Sequence, residues 1–182
     1  MAGIKTVCFI GHRPPQLGGY EQNPTTYFVK RSLKVAIGRA IKQRVETFIS
    51  GGALGVDQWA AEIVLDTRRR EINESYHRES SIKLVIAQPF PSQSAKWPQD
   101  ARRQYDKILQ KADRIIAVND DPYAARKMQK RNEWMVDNSD TVIAVWDGTP
   151  GWISDTVGYA REKEKPVLVI DPVEQSEKWI MD

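Results

Sequence analysis

The residues best suited to chemistry in this chain are concentrated in Ser50-Gly51-Gly52-Ala53-Leu54-Gly55-Val56-Asp57. An apolar run containing Val45, Phe48 and Ile49 ends abruptly at the paired glycines, and Val56, Trp59, Ala60, Ile63 and Val64 then recur at helical spacing. The pattern predicts a strand, a glycine turn and a helix. The first turn of a helix carries unpaired N–H groups and a partial positive charge, which suit an anion. Gly51, Gly52 and Gly55 lack the Cβ that would hold a phosphate away from the backbone. A glycine pair also serves as a plain tight turn, so the reading depends on what else faces it.

Two further loops supply that company. Gly11-His12-Arg13 follows a strand expected at Thr6 to Ile10, and Asp147-Gly148-Thr149-Pro150-Gly151 follows one expected at Thr141 to Trp146. The planar guanidinium of Arg13 matches phosphate oxygens bidentately. His12 is an acid or base near neutral pH, although a hydrogen bond to ligand or loop backbone is its simpler role. In the helix expected from Tyr123 to Asn138, Met128 and Met135 mark the inward face and Asn132 lies between them. A buried amide needs partners. Asn132, with Arg131 beside it, therefore either faces a ligand crevice or ties down a loop.

The candidate carboxylates are Asp57, Glu133, Asp147 and Asp155. Asp57 complements the helix dipole and caps N–H groups, Asp147 and Asp155 fit turns, and Glu133 points partly away from Asn132. Trp146, Trp152 and Tyr159 are candidate stacking faces for a base, set against the ordinary role of aromatic residues as core. The clusters Arg68-Arg69-Arg70 and Arg126-Lys127-Lys130-Arg131 read mostly as solvated helix faces. Two histidines and one cysteine, far apart in sequence, provide no zinc spacing, and neither a P-loop nor a Gly-x-Ser-x-Gly turn is present. No metal and no cofactor are expected, and no catalytic residue is assigned.

The elements that position these residues alternate along the chain. A helix begins near Thr25 or Thr26, with Val29, Leu33, Ala36, Ile37, Ala40 and Ile41 on one face. A polar connection from Asn73 to Ser81, containing a solvated His77, leads to a third strand at Ile82 to Ala87. A helix from Trp97 to Ala112, a strand from Arg114 to Val118, a helix from Thr156 to Lys163 and a strand from Val167 to Ile170 complete the series. Trp179 and Ile180 in the tail are expected to pack back onto the body. Strands separated by helices of this length require an α/β fold, with a mostly parallel sheet of about six strands flanked by helices. Ligands of such sheets bind beyond the carboxyl ends of the strands, where strand order reverses, so all three loops are expected on one rim.

With 182 residues, 41% of them hydrophobic, the chain has material for one substantial core, and no break in composition marks a boundary, so residues 1–182 read as a single domain. No stretch has the roughly 20 apolar residues of a membrane span. One cysteine within a strand fits a reducing, cytoplasmic compartment. A net charge of +3, spread along the helices, tolerates an anionic partner without marking a nucleic-acid surface.

The residues Val7-Cys8-Phe9-Ile10-Gly11-His12-Arg13 and Ser50 to Asp57, with Arg131 to Asp140 and Val142 to Gly148, resemble the YpsA-like branch of the SLOG superfamily. That superfamily joins the DNA-processing protein DprA to the LOG phosphoribohydrolases, and the resemblance runs from about Val7 to Ile170. It implies a three-layer Rossmann-like domain that binds a nucleotide or an ADP-ribose-like ligand, with Gly51, Gly52, Ala53 and Gly55 on phosphate. Ser50, Asp57, Gly11, His12, Arg13, Arg131, Asn132, Asp147, Gly148, Gly151 and Thr156 complete the implied ligand site. LOG enzymes carry Pro-Gly-Gly-x-Gly-Thr-x-x-Glu in the late loop; if Thr156 matches the threonine, Tyr159 stands where the glutamate belongs. A phenol with a pKa of about 10 is a poor substitute for a carboxylate in glycosidic cleavage.

Three functions are thus in view. The first is a sensor or sequestering module for a small nucleotide-derived ligand, with homo-oligomerisation left open. The second is a nucleoside-phosphate N-glycosidase of the LOG type using another carboxylate. The third, ranked last, is a DprA-like binder of single-strand DNA.

Overall fold

The computed structural model of the protein describes residues 3–74 and 79–181. Seven strands form one sheet: β1 (Thr6–Gly11), β2 (Thr47–Ser50), β3 (Lys83–Gln88), β4 (Arg114–Ala117), β5 (Thr141–Val145), β6 (Val167–Asp171) and β7 (Ser176–Ile180). Five α-helices accompany them: α1 (Pro24–Lys42), α2 (Val56–Glu74), α3 (Gln99–Lys111), α4 (Ala125–Asp137) and α5 (Trp152–Glu162). A 3₁₀ turn, Pro14–Leu17, follows β1. The strand order is β4-β3-β2-β1-β5-β6-β7, with β1 to β6 parallel and β7 antiparallel to β6. The order reverses between β1 and β5, where Gly11 pairs with Val145. The loops leaving those two strands therefore start side by side.

Alternation along each buried strand divides the core in two, because successive side chains point to opposite faces. Val7, Phe9, Phe48, Leu84, Ile86, Ile143, Val145, Leu168 and Ile170 meet α1, α2 and α3 on one face. Cys8, Ile10, Ile49, Val85, Ala87, Val142, Ala144, Val167 and Val169 meet α4 and α5 on the other. Helices on both faces of a mostly parallel sheet are the expected three-layer arrangement.

Several boundaries differ from expectation. The tail after Pro172 adds a seventh strand to the six expected, and of the two residues expected to pack back onto the body Ile180 does so on the α4/α5 side while Trp179, on this edge strand, is 54% exposed. The short alternating run Ser-Glu-Lys-Trp-Ile has too few apolar residues to announce a strand; the free edge of β6 recruits it. Helix α5 begins at Trp152, not Thr156, since Ser154 closes a reciprocal cap with Gly151: the Gly151 amide donates to Ser154 Oγ at 2.9 Å, and that hydroxyl donates to the Gly151 carbonyl at 2.7 Å. Helix α2 runs through Asn73 to Glu74, and the expected solvated His77 lies outside the described residues. Among the described residues no helix is long and apolar enough to cross a membrane.

Candidate functional site

Helix α2 is docked against the end of β1. The Val56 amide donates to the His12 carbonyl at 3.3 Å, and a Cβ on Gly11 would come within 2.5 Å of the Val56 side chain, so only glycine lets the two elements meet this closely. The glycine turn before α2 is held from within. Ser50 Oγ accepts from the Gly52 amide at 3.1 Å and donates to the Asp57 carbonyl at 2.7 Å, and Gln58 Nε2 donates to the Gly52 carbonyl at 3.1 Å. Gln93 Nε2 donates to the Gly51 carbonyl at 3.2 Å and to Tyr105 Oη at 3.1 Å.

These contacts revise the reason for the glycines. A Cβ on Gly51 would overlap the Arg131 guanidinium and stand 2.6 Å from Asp57 Oδ2. On Gly52, with φ of +66°, it would lie 2.6 Å from Tyr105 Cε2; on Gly55, with φ of +93°, 2.8 Å from the His12 carbonyl oxygen. All three Cβ directions meet protein, so these glycines are needed for the turn to close on its neighbours and not to keep space open for a phosphate. Sequence spacing alone does not show what lies over a turn.

Arg131 is the residue most changed in meaning. It belongs to the basic cluster of α4 yet is buried, with Nη1 donating to the carbonyls of Gly51 at 2.8 Å and Ala87 at 3.3 Å, and Nε donating to Asn132 Oδ1 at 2.9 Å. Its Nη1 lies 3.8 Å from Asp57 Oδ2, which also accepts from the Ala53 amide at 3.4 Å. Burial pushes the Asp57 carboxyl up, against the pull of Arg131, the Ala53 amide and Arg13. Burial likewise pushes Arg131 down, against the attraction of Asp57. Asn132 lines the cleft, and its Nδ2 donates not to a loop backbone but to Thr156 Oγ1 on α5 at 3.1 Å, which in turn donates to the Trp152 carbonyl at 2.7 Å.

The loops enclose a cleft of about 430 Å³ beyond the carboxyl ends of β1, β2, β4 and β5. Of the expected site residues, Gly11, His12, Arg13, Ala53, Asp57, Arg131, Asn132 and Gly151 line it. Ser50, Gly51, Gly52, Gly55 and Thr156 brace that wall through the contacts just described and do not form its surface, and Asp147 and Gly148 lie beside it. His12 is 3% exposed, and its Nε2 lies 3.1 Å from Asp147 Oδ1, an ion-pair contact, while neither ring nitrogen makes a hydrogen bond among the described residues. Asp147 Oδ1 accepts from the Thr149 amide at 3.0 Å and hydroxyl at 2.6 Å. Partial burial would raise the Asp147 carboxyl, but Thr149 and His12 together hold it below the usual carboxylate range. The exposed Arg13 guanidinium has no hydrogen bond or ion pair among the described residues.

The chain matches the model of YpsA, described as the YspA SLOG family, over residues 7–172. It belongs to that family. Relatives include a UPF0398 protein of Brevibacillus brevis, 31% identical over 83% of this chain and 79% of the other. The SPbeta prophage-derived protein YoqJ of Bacillus subtilis is 35% identical over 78% of this chain and 85% of its own, and the YpsA protein of the same organism is 26% identical over 88% of each. Among solved structures, DNA processing protein A from Helicobacter pylori superimposes with a TM-score of 0.63 at 20% identity, over 93% of this chain and 66% of that one. DprA from Streptococcus pneumoniae does so with a TM-score of 0.61 at 15% identity, over 92% of this chain and 50% of that one. This chain thus shares the DprA fold and spans two thirds or less of those longer proteins.

Within this YpsA-family fold the three aromatic candidates separate. Trp146 Nε1 donates to the Thr149 carbonyl at 2.8 Å and so staples its own loop. Tyr159, at the position the LOG resemblance gives to glutamate, donates to Asp137 on α4 at 3.0 Å and is not part of the cleft wall. Trp152 does line the cleft, and so does Tyr123, which sequence reasoning passed over as the start of a helix. The Asn119-Asp120-Asp121-Pro122 turn just before it was the signal for this placement, since a loop after a parallel strand belongs to the ligand rim. Glu133 accepts from Gln129 on α4 at 3.1 Å, and Asp155 is exposed; neither lines the cleft.

Proposed function

We propose that the cleft binds a phosphorylated, nucleotide-type small molecule and that the protein acts as a sensor or sequestering module for it. One observation carries this reading: the buried His12 of the cleft wall has no hydrogen bond on Nδ1 and only Asp147, 3.1 Å away, beside Nε2, and it stands next to the first turn of α2 and to Arg13, whose guanidinium has no hydrogen bond or ion pair among the described residues. A buried polar group left unpaired costs about 1–3 kcal/mol, which an anionic oxygen in the cleft would recover. The two carboxylates nearby are already engaged, Asp57 by Arg131 and the Ala53 amide and Asp147 by Thr149 and the His12 ring. The cleft volume of about 430 Å³ falls within the range of ordinary small-molecule sites, roughly 300–1,000 Å³.

Binding without hydrolysis is part of the proposal, because residue 159 offers a phenol bonded to Asp137 and no carboxylate to the cleft. Thermal unfolding in the presence of nucleoside monophosphates and ADP-ribose tests binding. Saturation at a hundred times the dissociation constant raises stability by about 2.7 kcal/mol. An unchanged transition with every phosphorylated nucleotide refutes the reading. Chromatography of the same mixtures tests turnover, and no free base is expected.

Two observations favour the other readings. Asp57 reaches the cleft with a carboxyl raised by burial, the property of a general acid, and supports the N-glycosidase alternative. Multiple turnovers abolished by Asp57→Asn establish that alternative. The groove between α1 and α2 carries Lys30, Arg31 and Lys34 with exposed Tyr27, and Lys30 stands 4.8 Å over Trp59. Cations with aromatic faces suit single-strand DNA, to which the Helicobacter pylori DNA processing protein A binds. Binding of an oligonucleotide that weakens steeply with salt and survives Arg13→Ala supports that reading.

A further inference from the structure

The wall of the cleft carries two chemically distinct sets of side chains: His12, Arg13, Asp57, Arg131 and Asn132 are polar, and Tyr123, Met128, Pro150, Trp152 and Ile153 offer apolar surface. We propose that Tyr123 and Trp152 form a base seat at the mouth of the cleft, so that the ligand is a single nucleotide bound with its phosphate inward and its base stacked at the lip. The proposal rests on the phosphate reading of the polar set and adds the part of the ligand that those side chains do not contact.

Both rings are presented by loops already in place. Tyr123 follows β4 in a segment tied down by several bonds. Asp121 Oδ1 accepts from the Ser92 amide at 3.0 Å and hydroxyl at 2.5 Å, Lys127 Nζ donates to the carbonyls of Asp120 at 2.6 Å and Pro122 at 2.8 Å, and Asn119 Nδ2 donates to the Pro89 carbonyl at 3.0 Å. The Tyr123 ring stands perpendicular to buried Phe90 at 5.7 Å between centroids, and remains 62% exposed. The Phe90 contact braces one side of the ring and leaves the remainder open. Trp152 is 45% exposed at the first position of α5, and its carbonyl is the last acceptor in the Arg131–Asn132–Thr156 series. The floor that would meet the phosphate and the helix end that bears Trp152 are therefore one connected unit.

Large exposed aromatic side chains are unfavourable in water unless something covers them, and two on the rim of one polar-floored cleft call for a ligand with a flat apolar end. A nucleobase has that form, and every base offers a π-face. A sugar phosphate or a dinucleotide fits less well. The first leaves both rings uncovered, and the second has a second nucleoside to place within a cleft of about 430 Å³.

The test compares AMP with ribose 5-phosphate by calorimetry on the wild type, Tyr123→Ala, Trp152→Ala and Trp152→Phe. Wild-type protein is expected to bind AMP at least tenfold more tightly than ribose 5-phosphate. Each alanine variant is expected to lose about 5- to 100-fold in AMP affinity, the usual range for one stacking contact, with ribose 5-phosphate affinity unchanged. Trp152→Phe keeps a ring and is expected to retain most of the affinity while losing any AMP-induced quenching of tryptophan fluorescence. Equal binding of AMP and ribose 5-phosphate by the wild type overturns the base seat and leaves the phosphate reading intact. Unchanged AMP affinity in both alanine variants overturns it as well, whereas binding of neither compound refutes the phosphate reading itself. Both side chains are exposed, so the variants are expected to fold, and far-ultraviolet circular dichroism checks that they do.

Discussion

Arg131 on α4 fills the space that a side chain at Gly51 would need, and its Nη1 donates to the Gly51 carbonyl at 2.8 Å while standing 3.8 Å from the Asp57 carboxylate. One buried guanidinium thus joins the glycine turn after β2, the end of β3 through Ala87, and the first turn of α2. The two faces of the sheet are linked at the cleft by this residue. Removing one partner of a buried pair leaves the other charge uncompensated, so Arg131→Met is expected to destabilise the fold by about 3–5 kcal/mol. Urea unfolding measures it; a loss under about 1 kcal/mol shows that the pair is not structural.

Gly52 is subject to a different constraint. Its φ of +66° disfavours any side chain, and a Cβ would lie 2.6 Å from the Tyr105 ring, which is itself buried and hydrogen-bonded to Gln88 and Gln93. Gly52→Ala is expected to cost roughly 1–3 kcal/mol, in line with overpacking of a core. The same loss should appear with and without ligand, because the added atom meets protein. A variant of full stability that has lost only nucleotide affinity contradicts this account.

Arg13 differs from both: among the described residues its guanidinium has no hydrogen bond or ion pair and acts on the fold only through its longer-range attraction for Asp57. Arg13→Ala is expected to leave the urea midpoint within experimental error and to weaken phosphorylated ligands by roughly 1.5–3 kcal/mol, the usual worth of a charge-assisted hydrogen bond. Calorimetry and unfolding on the same preparation separate the two effects. Unfolding of the variant makes Arg13 structural.

The strand and helix order, the three loops on one rim and the inward face of α4 were legible because they depend on local periodicity and on the geometry of parallel sheets. Asn132 was readable from its place between Met128 and Met135, both of which are buried. What sequence could not show was which groups meet across the sheet. Arg131 was expected both in a basic run and at the crevice beside Asn132, but its link to Gly51 and Asp57 could not be read because those partners lie far away in the chain. The glycines suggested an open cradle because their Cβ directions depend on Tyr105 and His12, which arrive from other elements. β7 went unread because its pairing with β6 supplies what its own composition lacks.

Asp147 provides a pH signature. Its folded-state pKa is depressed by Thr149 and His12 despite partial burial, so the unfolded chain takes up protons first as pH falls. Stability from this group is complete above the ordinary aspartate value of about 3.9 and is lost as pH drops through the lower folded value. The difference in melting temperature between wild type and Asp147→Asn is expected to hold steady from pH 7 to about pH 5 and to shrink below about pH 4. A difference that grows on acidification has the wrong sign for a depressed carboxylate.

Cys8 gives the last test, one that reports on the core and not the cleft. The thiol is fully buried in β1 between β2 and β5, and its Sγ accepts from Ser139 Oγ at 3.2 Å. Burial pushes its pKa up to about 12, with the Ser139 hydroxyl only partly opposing it. The thiolate is the reactive form, and at neutral pH an ordinary cysteine near 8.5 already supplies a small fraction of it. Folded protein is therefore expected to consume no thiol reagent at pH 7 to 8 over the minutes in which the urea-unfolded chain reacts with one equivalent. Because reaction must await opening of the central strands, its rate also reads their local stability, and Arg131→Met should accelerate it if that residue ties the two sides of the sheet together. Rapid labelling of the folded wild type would mean that β1 is accessible from solvent, and the division of the core into two sealed layers would have to be redrawn.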